Sequence, residues 1–87
     1  MLTRHLAKRL ASEQITVNAI APGPFESKMM SILEDPQARA AIEADVPLGR
    51  IGRADDVAGL TIMLASRAGA YMTGTVIPLD GGITGCN

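Results

Sequence analysis

Ile15-Thr-Val-Asn-Ala-Ile-Ala-Pro-Gly-Pro-Phe-Glu-Ser27 is the stretch that organises the chain. Ile15, Val17 and Ile20 are β-branched, and the run to Ala21 is short and nearly continuous in its apolar character. A strand covered on both faces, as in a parallel sheet, reads this way. The run stops at Pro22-Gly23-Pro24. Pro22 has no backbone donor for a ladder, and Gly23 accepts backbone angles that other residues avoid. A buried parallel strand ending in such a turn places the turn at the carboxyl edge of the sheet. Ligands of open α/β sheets sit at that edge, so the candidate site is expected here.

Upstream, Leu2, Leu6 and Leu10 recur every four residues with Ala7 and Ala11 beside them, which predicts a helix over Met1 to Glu13. No capping residue precedes the pattern, which reads as the inside of a longer helix. Downstream, Ser27 is placed to cap a short helix from Lys28 to Leu33, with a soft apolar face from Met29, Met30 and Ile32. Asp35-Pro36 reads as a second helix start, cap then first helical position, running to about Ala44. These two helices read either as a mobile lid over a ligand or as gap-filling core. Pro47, Gly49 and Gly52 punctuate a turn-rich connection.

Ala54 to Ser66 is the clearest helix. Asp55 and Asp56 complement the dipole of its first turn, and Val57, Leu60, Thr61, Leu64 and Ala65 line one face. Gly69 and Gly74 bracket a loop with Tyr71. Thr75 to Leu79 is a second short strand, ended by Asp80-Gly81-Gly82. Two apolar strands joined through helices form a βαβ unit with parallel neighbours. A pair of strands leaves an edge of Ile15–Ala21 without a partner, so the sheet is expected to be incomplete.

Composition narrows the function. The chain has 87 residues, a formal net charge of −1 and 47% hydrophobic residues, which is globular and at most one domain. With 2% aromatics, Phe25 and Tyr71, its core must come from aliphatic side chains. A basic stripe and stacking aromatics are lacking, which argues against nucleic acid; Arg4, Lys8 and Arg9 read as a solvated helix face. No apolar run nears the ~20 residues that span a membrane, and the first residues lack the apolar core of a signal peptide. The one cysteine, Cys86, cannot form an internal disulfide, which fits a reducing cytoplasm.

Catalytic patterns are sparse. His5 is the sole histidine, lies among charged neighbours and pairs with no serine by pattern. Metal ligands of suitable spacing are lacking. No Gly-x-Gly-x-x-Gly occurs, the stretch Gly69 to Thr75 lacks the lysine of a P-loop, and Tyr71 is followed four residues on by Thr75 rather than lysine.

The ordered motifs nevertheless carry a resemblance. Ile15-Thr-Val-Asn-Ala-Ile-Ala-Pro-Gly23 is similar to a strand and turn in the C-terminal half of the short-chain dehydrogenase/reductase family. Pro47-Leu-Gly-Arg-Ile-Gly-Arg53 followed by Asp55-Asp56-Val57 resembles the segment leading into the family's last long helix. Thr73-Gly74-Thr75-Val-Ile-Pro-Leu-Asp80-Gly81-Gly82 resembles its final strand. The resemblance implies the C-terminal part of a Rossmann-type doubly wound parallel α/β sheet, two strands with flanking helices, incomplete on its own. Residues 1–87 would be the C-terminal segment of a single NAD(P)-binding domain, with residues 27–50 as the substrate-lid region.

Classical family members are oxidoreductases that move hydride between NAD or NADP and a carbonyl or alcohol. By resemblance, Pro22, Gly23, Pro24 and Phe25 form the turn against the nicotinamide. Backbone groups at Phe25 would meet its carboxamide, and Ser27 holds a place where the family commonly has Thr. A helix cap and a cofactor contact are compatible roles for Ser27. The family's Gly-rich phosphate turn, catalytic Ser and Tyr-x-x-x-Lys have no counterparts here. The resemblance thus implies a homo-oligomeric oxidoreductase whose cofactor these 87 residues cannot bind fully, and the lone cysteine a cytoplasmic one. The isolated chain is expected to be inactive. A different reading is a non-catalytic module that docks onto full-length relatives, and a third is a truncated product without function.

Overall fold

The computed structural model describes residues 1–86 and, among these, the side chains of all but residues 27–30. Two parallel strands form its centre: β1 (Ala19–Pro22) and β2 (Val76–Leu79), in register Ala19 to Val76 through Pro22 to Leu79. Three helices lie between them in sequence, α2 (Glu26–Leu33), α3 (Pro36–Asp45) and α4 (Ala54–Ala65), and α1 (Leu2–Leu10) precedes them. The parallel pairing is the one expected for strands joined by a helical crossover.

Both strands contain a proline, and the ladder explains why neither breaks it. The Ala19 and Gly23 N–H groups donate to the carbonyls of Thr75 and Leu79, at 2.9 and 3.0 Å. Strand geometry has period two, so residues 19, 21 and 23 point their N–H groups at β2 and Pro22 points its ring nitrogen away. The same register turns the nitrogen of Pro78 away from β1. Each proline therefore stands where no ladder donor is required.

β1 is shorter than the sequence suggests: it begins at Ala19 rather than Ile15 and includes Pro22. Side chains replace ladder bonds in the preceding residues. The Val17 N–H donates to Thr73 Oγ1 at 3.0 Å, Asn18 Nδ2 donates to the Met72 carbonyl at 3.1 Å, and the Thr75 N–H donates to Asn18 Oδ1 at 3.2 Å. Full coverage of both faces is not found either. Ile15 is 46% exposed, and Ala21 and Pro22 are exposed.

α1 also ends earlier than its apolar pattern. It gives way to a 3₁₀ turn, Ala11–Glu13, closed by Gln14 in the left-handed region at φ 62°. α3 starts as read: the Asp35 carboxylate accepts from the Gln37 N–H at 3.0 Å, and Pro36 takes the first helical position. α2 differs. Its N-cap is Phe25 and its first residue is Glu26, so Ser27 sits inside the first turn instead of capping it. The expected apolar face of this helix lies partly outside the described residues, namely the Met29 and Met30 side chains, and Ile32 is 48% exposed.

Among the described residues, Ala7, Phe25, Val46 and Ile51 are the buried apolar ones. Leu2, Leu48 and Ile62 are about as open as surface residues, at 70%, 70% and 68%. The Cα radius of gyration is 15.6 Å, against about 12 Å for a compact domain of this length. The layer is thus incomplete on its own, as two strands without further neighbours must be. No helix among the described residues is long and apolar enough to cross a membrane.

Candidate functional site

The carboxyl ends of β1 and β2 converge on one edge, and the Pro22–Phe25 turn lies there. The Gly23 N–H completes the ladder to Leu79. A Cβ at Gly23 would stand 2.6 Å from the Cβ of Asp80, so only glycine lets the two strand ends approach this closely.

The loop Val46–Arg53 closes over the turn. The Gly52 N–H donates to the Pro24 carbonyl at 2.9 Å, and the Glu26 N–H donates to the Gly52 carbonyl at 3.0 Å. This pair of bonds brackets Phe25, whose ring packs closely against Gly52. A Cβ there would meet ring carbons at 2.5 to 2.7 Å. Phe25 is 5% exposed and Ile51 2%, and with Val46 they put three of the four buried apolar side chains among the described residues at this end. The Phe25 N–H has no backbone partner among the described residues. It lies at the entry of α2, where the helix dipole favours an electron-rich group.

A cleft of about 140 Å³ opens beside the turn, walled by Pro24, Phe25, Leu48 and Leu79 and bordered by Arg50, Asp56 and Asp80. Asp56 accepts two parallel bonds from Arg50, at 2.8 and 2.9 Å, and a third from the Arg53 N–H at 2.8 Å. The bond from Arg50 is the main reason its pKa lies well below the carboxylate range, with the Arg53 N–H next. An arginine side chain cannot accept, so the reciprocal bond at this helix start is backbone, Asp56 N–H to Arg53 carbonyl at 2.9 Å. Asp80 accepts from the Thr84 hydroxyl at 2.6 Å and from the N–H groups of Gly82 and Thr84. The Thr84 hydroxyl is the largest cause of its lowered pKa.

The structure therefore brings Pro22, Gly23, Pro24 and Phe25 together at the sheet edge. The backbone of Ser27 follows in the first turn of α2, and its side chain lies outside the described residues. Gly52, Arg50 and Asp56 belong to the same edge and are not evident as site residues from pattern alone. Their signal is faint: an aspartate three residues after the residue that opens a helix, and a glycine just before it. Tyr71, fully exposed, stands at the opposite ends of the strands, beside Gln14, Ile15 and Thr73. Among the described residues no group of three or more potential metal ligands is found.

The edge combines polar backbone with apolar side chains. It offers a backbone donor, an apolar ring wall and a helix entry. Among the described residues, the titratable acids that border the cleft are Asp56 and Asp80, both committed to hydrogen bonds.

Comparison with known proteins extends these observations. A family model described as enoyl-(acyl carrier protein) reductase matches residues 1–84. A rhamnolipid-biosynthesis 3-oxoacyl-[acyl-carrier-protein] reductase of Pseudomonas aeruginosa is 57% identical over 82 residues, covering 93% of this chain and 32% of the relative. A 3beta-hydroxysteroid dehydrogenase of Eggerthella lenta is 45% identical over 85 residues, covering 97% and 33%. Among solved structures, an NADP active-site complex of RhlG from Pseudomonas aeruginosa superposes with a TM-score of 0.88 at 54% identity, covering 94% of this chain and 32% of that one. The chain spans about a third of the length of the curated relatives it matches. Its two strands and their helices thus correspond to part of a larger Rossmann-like sheet.

Proposed function

Because the chain belongs to the short-chain dehydrogenase/reductase family, we propose that it supplies the nicotinamide-side turn and the substrate lid of an oxidoreductase. The reaction moves hydride between NAD or NADP and a small carbonyl or alcohol. The observation that carries this reading is the bracketed turn: Phe25 is fixed by two backbone bonds through Gly52, with its own N–H left for a ligand.

The residues present fit the nicotinamide end of such a cofactor. A carboxamide needs a fixed donor, and the Phe25 N–H provides one. The ring needs a dry wall, and Pro24 and Phe25 provide it. Ser27, in the first turn of α2, adds a hydroxyl residue at a helix entry. For the phosphates and the ribose the chain offers no Gly-rich turn.

When bound, the nicotinamide would give hydride to a carbonyl or take it from an alcohol. This chain's own residues orient and shield. The Phe25 N–H sets the direction of the carboxamide, and Gly52 keeps that donor from drifting. Residues 27–50, which hold most of α2, all of α3 and the loop after it, cover the substrate and keep water from the reacting carbon. Glu26 and Arg39, paired at 3.0 Å, tie these two helices together. Tyr71 does not serve proton transfer at the turn, since it stands at the far ends of the strands and has Thr75 where a lysine would be needed. The 87 residues alone are therefore expected to be inactive. Leu2 on α1 and Ile62 on α4 support subunit contacts of a homo-oligomer, and the single Cys86 supports a cytoplasmic setting.

The relatives act on both 3-oxoacyl and hydroxysteroid compounds by name, so the reading stops at a carbonyl or alcohol. The test is a chimera in which this chain replaces the matching third of the Pseudomonas aeruginosa 3-oxoacyl reductase. NADPH-dependent reduction by the chimera, with none by the chain alone, is the expected result. A folded chimera that neither binds nor oxidises NADPH would overturn the reading. The exposed apolar faces also suit a docking module without catalysis. That role would be favoured by an inactive chimera together with co-purification of the chain and a full-length relative.

A further inference from the structure

Building on the reading of Pro22–Phe25 as the nicotinamide-side turn, we propose that Arg50 and Asp56 are positioning residues for that turn, acting on it through Gly52. Neither side chain reaches the Phe25 N–H. Their influence runs along the backbone between them.

The linkage is continuous. Asp56 is the third residue of α4 and holds Arg50 by two parallel bonds, at 2.8 and 2.9 Å. The same carboxylate holds the Arg53 N–H at 2.8 Å. One anion on a helix thus fastens the loop at Arg50 and again at Arg53, on both sides of Gly52. Arg50 Nη1 also donates to the Ile51 carbonyl at 3.3 Å, which draws the side chain back over its own loop. Ile51, 2% exposed, pins the middle. Gly52 then carries both bonds to the turn, from its N–H to Pro24 and at its carbonyl from Glu26.

Geometry favours a positioning role over a purely stabilising one. Two-pronged arginine–carboxylate pairs are directional and fix a plane, whereas lysine acts as a point charge. The pair is partly exposed, 42% at Arg50 and 28% at Asp56, so its contribution to overall stability is small. The turn has little slack to absorb a shift, because the Phe25 ring fills the space a Cβ at Gly52 would need. A displaced loop must move Phe25 with it, and with Phe25 the donor for the carboxamide.

Two readouts on the same chimera test this, and one of them needs no cofactor. Hydrogen exchange at the Gly52 and Glu26 N–H groups reports the loop-to-turn bonds directly. Equilibrium binding of NADPH reports the donor they hold. Asp56→Asn keeps an acceptor for the Arg53 N–H but loses the ionic grip on Arg50. It is expected to speed exchange at both amides and raise the Kd for NADPH roughly fivefold. Arg50→Lys keeps the charge and loses the fork, so a smaller change of the same sign is expected. Ser66→Ala removes a bond to Ala68 at the far end of α4. It lowers stability and is expected to leave both readouts alone.

Folded Asp56→Asn and Arg50→Lys variants with unchanged exchange and unchanged NADPH affinity would overturn the proposal. So would equal effects from Ser66→Ala. If Asp56→Asn does not fold, Arg50→Lys decides. If the unmodified chimera fails to bind NADPH, the reading of the turn falls, and exchange at Gly52 and Glu26 still decides whether the linkage exists.

Discussion

The two ends of the β1–β2 pair are built differently. Both are laced with hydrogen bonds across the chain. At the carboxyl end the bonds that join the strands, the turn and the loop are backbone to backbone, Gly23 to Leu79, Gly52 to Pro24 and Leu48 to Gly81; the side-chain bonds of Arg50, Asp56 and Asp80 lie around them, and the buried side chains Phe25, Val46 and Ile51 lie among them. At the amino end several bonds run through the side chains of Asn18 and Thr73, and Ile15 and Tyr71 remain open, at 46% and 103% exposure. Hydrogen bonds fix geometry at a small net gain each, while burial of apolar area supplies the bulk of stability. The candidate site therefore sits at the end that these residues stabilise by themselves.

The largest test of that contrast is Phe25→Ala. It empties the centre of the carboxyl end and is expected to cost about 3 kcal/mol. Ile15→Ala at the other end, half open already, is expected to cost under about 1 kcal/mol. Urea unfolding of the two variants checks the difference. Equal losses would mean that the two ends are packed alike. Gly23→Ala comes next, since its Cβ would lie 2.6 Å from the Asp80 Cβ and 2.9 Å from the Asp80 Cα. Forcing the strand ends apart is expected to cost about 1 to 3 kcal/mol, read by the same unfolding curves.

These expectations also show what the sequence carries legibly. The Pro22-Gly23-Pro24 turn, the Asp35-Pro36 helix start and the Asp55-Asp56 first turn are local signals, set by backbone donors, fixed φ and the helix dipole. The two helix starts are found where the residues place them, and the turn comes slightly later than read, because β1 takes in Pro22 and the Gly23 N–H still bonds to Leu79. Errors occur where a distant partner decides. Asn18 and Thr73 replace ladder bonds across more than fifty positions and so shorten β1. The start of α2 is drawn to Glu26 because Gly52 accepts its N–H, which overrides the capping preference of Ser27. The site shows the same division. Pro22 to Phe25 announce themselves as a turn, whereas Arg50, Gly52 and Asp56 join it only once the loop has folded back.

Acid should weaken the carboxyl end selectively. Asp56 and Asp80 both have pKa values below the ordinary carboxylate range, held down first by Arg50 and by the Thr84 hydroxyl respectively. A carboxylate whose folded pKa is depressed contributes stability that is present above its unfolded pKa, about 3.9. That contribution is lost as pH falls through the folded value. Below about pH 4, amides near Gly52 and Gly82 are expected to lose protection before those of α1, as hydrogen exchange at stepped pH would show. In Thr84→Val the Asp80 pKa should move back up, and the acid-dependent part of stability should shrink. An unchanged titration of Asp80 by NMR would contradict the assignment of that bond.

The smallest expected effect is on the outer faces. Ile62 is 68% exposed on α4 and Tyr71 wholly so, so Ile62→Ser and Tyr71→Ser are expected to change the stability of the chain by about 0.5 kcal/mol or less. Such small values sharpen the contrast, since the same Ile side chain at a buried position would be missed several times more. Ile62 also carries the subunit-contact reading, and there the two measurements separate. Sedimentation of the chimera should shift toward smaller species in Ile62→Ser if α4 packs between subunits, while the unfolding curve of the chain alone stays put. A large stability loss in the dilute, monomeric chain would instead mean that Ile62 is covered by these same 87 residues. The outer face of α4 would then belong to the self-sufficient part of the molecule and not to its contact surface.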